Sequence, residues 1–103
     1  MFDYRRRQLH EILVGALGST NVYFQPPENV IMRYPCIVYS LSGDEVKHAD
    51  NQTYLSRLEY EVTCISKQSD NTVAFRLSSL PYFSFSRRYV KDNLYHDSLT
   101  VYF

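Results

Sequence analysis

The sequence predicts an α+β domain: a mostly antiparallel sheet with two helices packed on one face. An amphipathic helical stripe opens the chain, and a shorter helical pattern returns past its middle. The stretches between and after them alternate apolar and polar residues with period two, and Pro, Gly, Asp and Asn bound them. At 103 residues the chain suits a single core, since domains typically run to roughly 100–150 residues.

The first helix is read from Phe2, Leu9, Ile12, Leu13, Ala16 and Leu17, which fall on one stripe at 3.6-residue spacing. Asp3 is positioned to cap its start and Gly18 to take the left-handed stop. Arg5, Arg6 and Arg7 occupy its first turn, where the helix dipole disfavours each cation by a few tenths of a kcal/mol. A local rule broken this way invites a functional reading. The triplet either contacts an acidic partner or is a solvated turn whose charge Asp3 and Glu11 offset.

Val22 to Gln25 reads as a short strand, and Pro26-Pro27-Glu28-Asn29 as a turn at a sheet edge or on the surface. Val30 to Tyr34 leads to Pro35, which favours extended geometry at Tyr34. Cys36 to Ser42 is a strand whose near-continuous apolar start suggests an interior place in the sheet. From Gly43 to Gln52 the chain turns polar and reads as a long loop, ordered by a neighbouring molecule. The strand Thr53 to Lys67 follows, with Leu58, Tyr60, Val62 and Cys64 alternating against Arg57, Glu59, Glu61 and Thr63.

A second helix is expected after Asp70 or Asn71, with Val73, Leu77 and Leu80 inward and Pro81 as its stop. Tyr82 to Val90 alternates as a strand, Lys91-Asp92-Asn93 carries turn chemistry, and Leu99, Val101 and Phe103 share one face of a last strand. That hairpin answers the main question about the ending, NLYHDSLTVYF. Adjacent strand residues point to opposite faces, so His96 and Asp97 do not converge as a catalytic pair.

Composition narrows the chemistry. Eleven basic residues balance eleven acidic ones, so no net field draws the chain to nucleic acid or an anionic membrane. No apolar run approaches the roughly 20 residues of a membrane span, and the N-terminal stretch is too polar for a signal peptide. An intracellular, soluble protein is expected. Cys36 and Cys64 lie in apolar strand-like runs and read as reduced core residues, and in such a protein the sequon Asn51-Gln52-Thr53 is coincidental.

Three glycines in no phosphate-cradling array exclude a nucleotide loop, and two cysteines with three scattered histidines do not make a zinc set. Lys47-His48-Ala49-Asp50 is a candidate general-base or metal segment, but reads better as loop. No catalytic, cofactor or metal residues are expected. Arg87, Arg88 and Lys91 beside Phe85 and Tyr89 make a modest nucleic-acid motif, weakened because Arg87 and Arg88 face opposite sides of a strand. Ten Tyr and six Phe make 16% of the chain aromatic, more ring area than one small core needs and suited to subunit contacts.

The segments NVYFQPPENV-IMRYPCIVYSL and LPYFSFSRRYVKDNLYHDSLTVYF, with the Asp-Asn-Leu-x-His-Asp ending as their most distinctive part, resemble a family of small tailed-bacteriophage and prophage proteins. These are minor tail, tail terminator or head–tail joining proteins. The resemblance spans Asn21 to Phe103 and implies a non-enzymatic virion protein, assembled in the host cytoplasm as a ring, usually hexameric, at the tail end or neck. Its implied partners are further copies of itself and adjoining tail-tube or connector proteins, with DNA passing through the ring unread. Contacts are then expected from the arginines Arg5, Arg6 and Arg7 and from Asp44, Lys47, His48 and Asp50 in the polar stretch. Arg87 and Arg88 on the late hairpin and Tyr102 on the free face of the last strand complete the expected set.

Overall fold

The computed structural model describes the backbone of residues 2–27, 31–49, 52–70 and 72–103, and the side chains of 4–27, 31–43, 58–70 and 72–103. In chain order the elements are α1 (Phe2–Leu17), β1 (Val22–Phe24), β2 (Cys36–Ala49), β3 (Gln52–Ser66), α2 (Thr72–Ser78), β4 (Phe83–Lys91) and β5 (Leu94–Tyr102). The strands form one sheet of order β1-β2-β3-β5-β4. Only β1 and β2 pair in parallel; the remaining neighbours are antiparallel. The predicted class holds.

One face of this sheet is dry. Leu9 and Leu13 of α1 and Ala74 and Leu77 of α2 pack with Ile37, Tyr39, Leu58, Tyr60, Val62, Cys64, Leu99 and Val101 in one cluster. The core-facing residues of β3 are those whose alternation marked them in the sequence. Arg76 of α2 donates from Nη1 to the Ala16 carbonyl at 3.1 Å, tying the two helix ends together over that face. Gly18 closes α1 as its sequence position implied, with φ at +80° and its N–H donating to Val14 O at 2.8 Å.

Several expectations shift. The helix α1 begins at Phe2, which places Asp3 inside its first turn instead of before it. Ile12, read as core, is 36% exposed, because Leu9 and Leu13 alone occupy the centre of the stripe. In α2, Ala74 is buried and Leu80 is not: the helix ends at Ser78, so Leu80 lies past the face it was expected to share. Of the two residues read as its cap, Asn71 lies outside the described residues. The Tyr34–Pro35 peptide is cis.

The largest correction concerns Gly43 to Gln52. Read as a loop, this stretch is mostly strand: β2 runs on to Ala49, whose partner is Gln52, and the ladder continues through two irregularities to Cys36 opposite Ile65. The ladder shifts register between Leu41 and Gly43, where Ser42 is the extra residue on β2, and between Glu45 and Val46, where Ser56 is the extra residue on β3. Only the first falls on β2, and the run that follows it, Gly43 to Ala49, is polar apart from Val46 and Ala49, which leaves no period of two to read.

The ending is a hairpin. Lys91 pairs with Leu94, and the two residues between them, Asp92 and Asn93, have φ of 54° and 62°. Two consecutive left-handed residues define the tight turn whose twist matches the flanking strands, and Asp and Asn tolerate that geometry best after Gly. The strand β5 lies between β3 and β4 and is therefore interior, with Leu99 and Val101 fully buried. Leu99→Ala should lower unfolding free energy by about 2–5 kcal/mol, the usual cost of emptying a core leucine site. Urea titration checks it; a loss under about 1 kcal/mol would mean that β5 is not part of the core.

Candidate interaction surface

The side chains that could meet a partner fall into three groups, set by where the sheet ends. The first is the distal part of the β2–β3 hairpin. Its neighbours stop short: β1 reaches β2 only as far as Tyr39, and β5 reaches β3 only from Glu59 onward. Beyond those points the hairpin continues to Ala49 and Gln52 as a two-stranded ribbon, in a molecule of 50 × 24 × 23 Å. Asp44, Lys47 and His48 belong to this ribbon instead of a loop, and Asp50 lies outside the described residues. The side chains from 44 to 57 also lie outside them.

The second group surrounds α1. Tyr39, fully buried, is reached from the helix by two residues the sequence separates widely. Arg6 donates from Nη1 to the Tyr39 hydroxyl at 3.3 Å, and His10 Nδ1 lies 2.7 Å from the same oxygen. Arg6 can only donate, so the Tyr39 oxygen accepts from it, while the direction of the Tyr39–His10 bond follows the imidazole tautomer. The Arg6 guanidinium also sits 4.5 Å from the centre of the Phe24 ring, a cation–π contact.

Arg6 therefore holds α1 to the sheet. Arg5 and Arg7 are exposed. The broken dipole rule in the first turn has a structural cause, since the centre arginine of the triplet anchors the helix to β1 and β2. Burial, with Arg6 as a second contribution, lowers the pKa of His10, while Glu11 acts in the opposite sense. Burial likewise raises the Tyr39 hydroxyl, which keeps it a neutral hydrogen-bonding group. The sequence reading missed this cluster because its members lie 29 and 33 residues apart.

The third group is the β4–β5 hairpin with α2. Arg88 and Asp97 are cross-strand partners on the helix side, and their contact is bidentate: Nε to Oδ1 at 2.7 Å and Nη2 to Oδ2 at 3.0 Å. The carboxylate is the buried member, at 4% side-chain exposure against 39% for the guanidinium. Arg88 is thus paired with Asp97 within the chain, and the Asp97 bond raises its pKa. Arg87 points to the opposite face, 5.0 Å from the Tyr89 ring centre, and Tyr89 stacks on His96 at 4.8 Å and 15°. His96 and Asp97 diverge, as the strand geometry required.

Beside the ion pair a shallow groove of about 310 Å³ is lined by Ala74, Phe75, Ser78, Phe85, Arg88 and Asp97. Phe75 is 78% and Phe85 52% exposed, which is unusual for adjoining phenylalanines on a small domain. On the sheet face away from the helices, Tyr102 donates its hydroxyl to Glu59 Oε1 at 3.0 Å, and Ser42 donates to Glu59 Oε2 at 3.1 Å. Tyr102, expected to be available to a neighbour, is half-buried and holds Glu59 within its own sheet.

Cys36 and Cys64 are free and buried, with burial pushing their thiols up to about 11 and about 12. At neutral pH both are protonated and unreactive. Among the described residues no group of three or more His, Cys, Asp or Glu side chains comes together as a metal site, and no helix is long and apolar enough to cross a membrane.

Two outcomes follow from these contacts. Arg88→Ala should cost more stability than Asp97→Asn, because it leaves a buried carboxylate unpaired, whereas the amide oxygen introduced by Asp97→Asn would still accept from the half-exposed arginine. Chemical denaturation of both variants decides it, and equal losses would refute the asymmetry. For His10, the unfolded chain takes its proton near pH 6.5 and the folded chain only at lower pH. The folded state therefore loses stability as pH falls below 6.5, and His10→Gln should flatten that part of the curve between about pH 6.5 and 5. An unchanged slope in the variant would mean that His10 does not contribute. No family model, no curated protein and no solved structure matches the chain, so its resemblance to phage tail and neck proteins rests on the quoted segments alone.

Proposed function

We propose that this chain is a non-enzymatic structural protein of a tailed bacteriophage virion, forming a ring at the tail end or neck as a tail terminator or head–tail joining protein. The observation that carries this reading is the ribbon formed by β2 and β3 beyond the rest of the sheet. A two-stranded hairpin with no third strand is marginal in water, because its backbone groups and both faces stay solvated. A chain that extends one at length gains most when a neighbour covers it.

The exposed Phe75, Phe85 and Val90 support the same reading from the other side of the molecule. A head-to-tail ring needs two different contact patches on every subunit, and this chain has two at opposite ends of its sheet. The protein needs no cofactor in this role. Its partners are further copies of itself and the adjoining tail-tube or connector proteins, it resides in the virion after assembly in the host cytoplasm, and DNA passes through the ring without being read.

The Arg87–Tyr89–His96 stack favours a second reading, a small nucleic-acid-binding module that uses Arg87, Arg88 and Lys91. The commitment of Arg88 to Asp97 reduces the charge available to it. Electron microscopy of assembled necks and tails, with light scattering of the purified protein, separates the two. The ring reading expects a closed ring of copies, most simply six, whose formation is insensitive to added oligonucleotide. A strict monomer with no ring density in assembled particles, combined with oligonucleotide binding that falls steeply with salt, would replace it with the second.

A further inference from the structure

The two edges of the sheet are complementary in backbone, direction and charge. Among the described residues, no strand pairs with the outer edge of β4, and none pairs with the outer edge of β2 past Leu41, whose N–H is taken by Gln25 Oε1 at 3.2 Å. Each is a row of backbone donors and acceptors open to another chain. They lie at opposite margins of one sheet. Through the ladders Phe83 to Tyr89 of β4 lies level with Leu41 to Cys36 of β2, so the β4 margin of one copy meets the ribbon of the next when successive copies are tilted and offset along the strand axis.

Strand direction agrees. The strand β4 is antiparallel to β5, β5 to β3 and β3 to β2, so β4 and β2 run in opposite senses. Side by side across a junction between equivalently oriented copies they make an antiparallel pair, the sense that gives straight, closely spaced backbone hydrogen bonds.

Charge agrees as well. The strand β4 carries Arg87, Arg88 and Lys91 and no carboxylate, and with Arg88 neutralised by Asp97 it still offers Arg87 and Lys91. Over the strand residues Gly43 to Ala49 the sequence carries two acids, Asp44 and Glu45, against one lysine, Lys47. A chain with balanced charges overall is thus basic at one sheet margin and acidic at the other. That polarity favours head-to-tail contact and disfavours β4 pairing with its own kind.

We propose that the open edge of β4 receives the outer edge of the β2 ribbon from a second copy of this chain, as an antiparallel pair that continues the sheet across subunits. The groove beside Phe75 and Phe85 lies along the receiving margin and shelters the incoming ribbon from water. The proposal rests on the ring reading and specifies its junction.

Disulfide mapping tests it. One copy bears a cysteine at one of the positions 87 to 91 of β4, and a second copy bears one at one of the positions 44 to 48 of β2. The native Cys36 and Cys64 are buried and protonated and do not interfere. The expected result is a cross-link whose best β2 partner moves toward lower numbers as the β4 position moves toward higher ones. Cross-links of β4 to β4, a best partner that moves in the same direction, or uniform cross-linking would overturn the proposal.

Charge reversal gives the second arm. Arg87→Glu with Lys91→Glu should raise the concentration needed for assembly at least tenfold, and Asp44→Lys with Glu45→Lys in the same chain should restore it to within about threefold. Melting temperatures within a few degrees of the parent identify folded variants, and the cross-linking arm decides alone if the reversed chains do not fold. Rings that form without a β4–β2 cross-link would defeat this junction and leave the ring reading standing. A monomer in solution and no ring in assembled particles would defeat both.

Discussion

The antiparallel pairing of β2 with β3 is the constraint on which the rest of the structure depends. Its upper half supplies Ile37, Tyr39, Leu58, Tyr60, Val62 and Cys64 to the core and gives both helices their platform. Its lower half runs past every neighbouring strand. One continuous ladder therefore serves two ends: hydrophobic burial holds the half near the helices, while the far half has only its own cross-strand bonds among the described residues. A change of register in the first half would propagate into the second, because side-chain facing along a ladder is set collectively.

Tyr39 shows how that platform is secured. Its ring packs against Phe24 and Tyr60 at centroid distances of 4.9 Å and 6.2 Å, and its hydroxyl joins Arg6 to His10. A buried phenol must find a hydrogen-bond partner, and here the partners come from the first helix. The cost of burying a polar tip is offset by fixing α1 over β1 and β2. At the other end of the sheet the bidentate Arg88–Asp97 pair does comparable work beneath α2, satisfying a buried carboxylate on an otherwise apolar face. Polar groups thus fix α1 over the sheet, and Arg76 donating to the Ala16 carbonyl ties α2 to it, while apolar burial supplies the bulk of the stability.

The same economy leaves surface for partners. The helices cover one face, the opposite face is laced by contacts such as Tyr102 to Glu59 and Ser98 to Glu61, and among the described residues no further strand pairs with β4 or with β2 past Leu41. Natural sheets usually guard open margins with charge, bulges or short strands. This chain has charge and a bulge at β4, between Phe85 and Arg87, yet also places exposed phenylalanine there. Charge restricts which strand can pair, and exposed apolar area rewards the one that does. A margin of that kind suits selective pairing better than permanent solvation.

The sequence by itself determined the α+β class, both helices, the core face of β3 and the final hairpin, because each of these is written in local spacing or local turn chemistry. Leu58 to Cys64 alternate visibly, Gly18 sits where a left-handed stop is needed, and Asp92-Asn93 suits a two-residue turn. Only the tertiary structure decided that Gly43 to Ala49 is strand, since its mostly polar residues show no alternation and its pairing depends on the strand that follows. Only the fold could reveal that Arg6 and Arg88 are occupied within the chain, because Tyr39 and Asp97 become their neighbours through packing and strand pairing, not through sequence spacing. Interior position follows the same rule: the place of β5 between β3 and β4 is a property of the assembled sheet, which no single strand's residues encode.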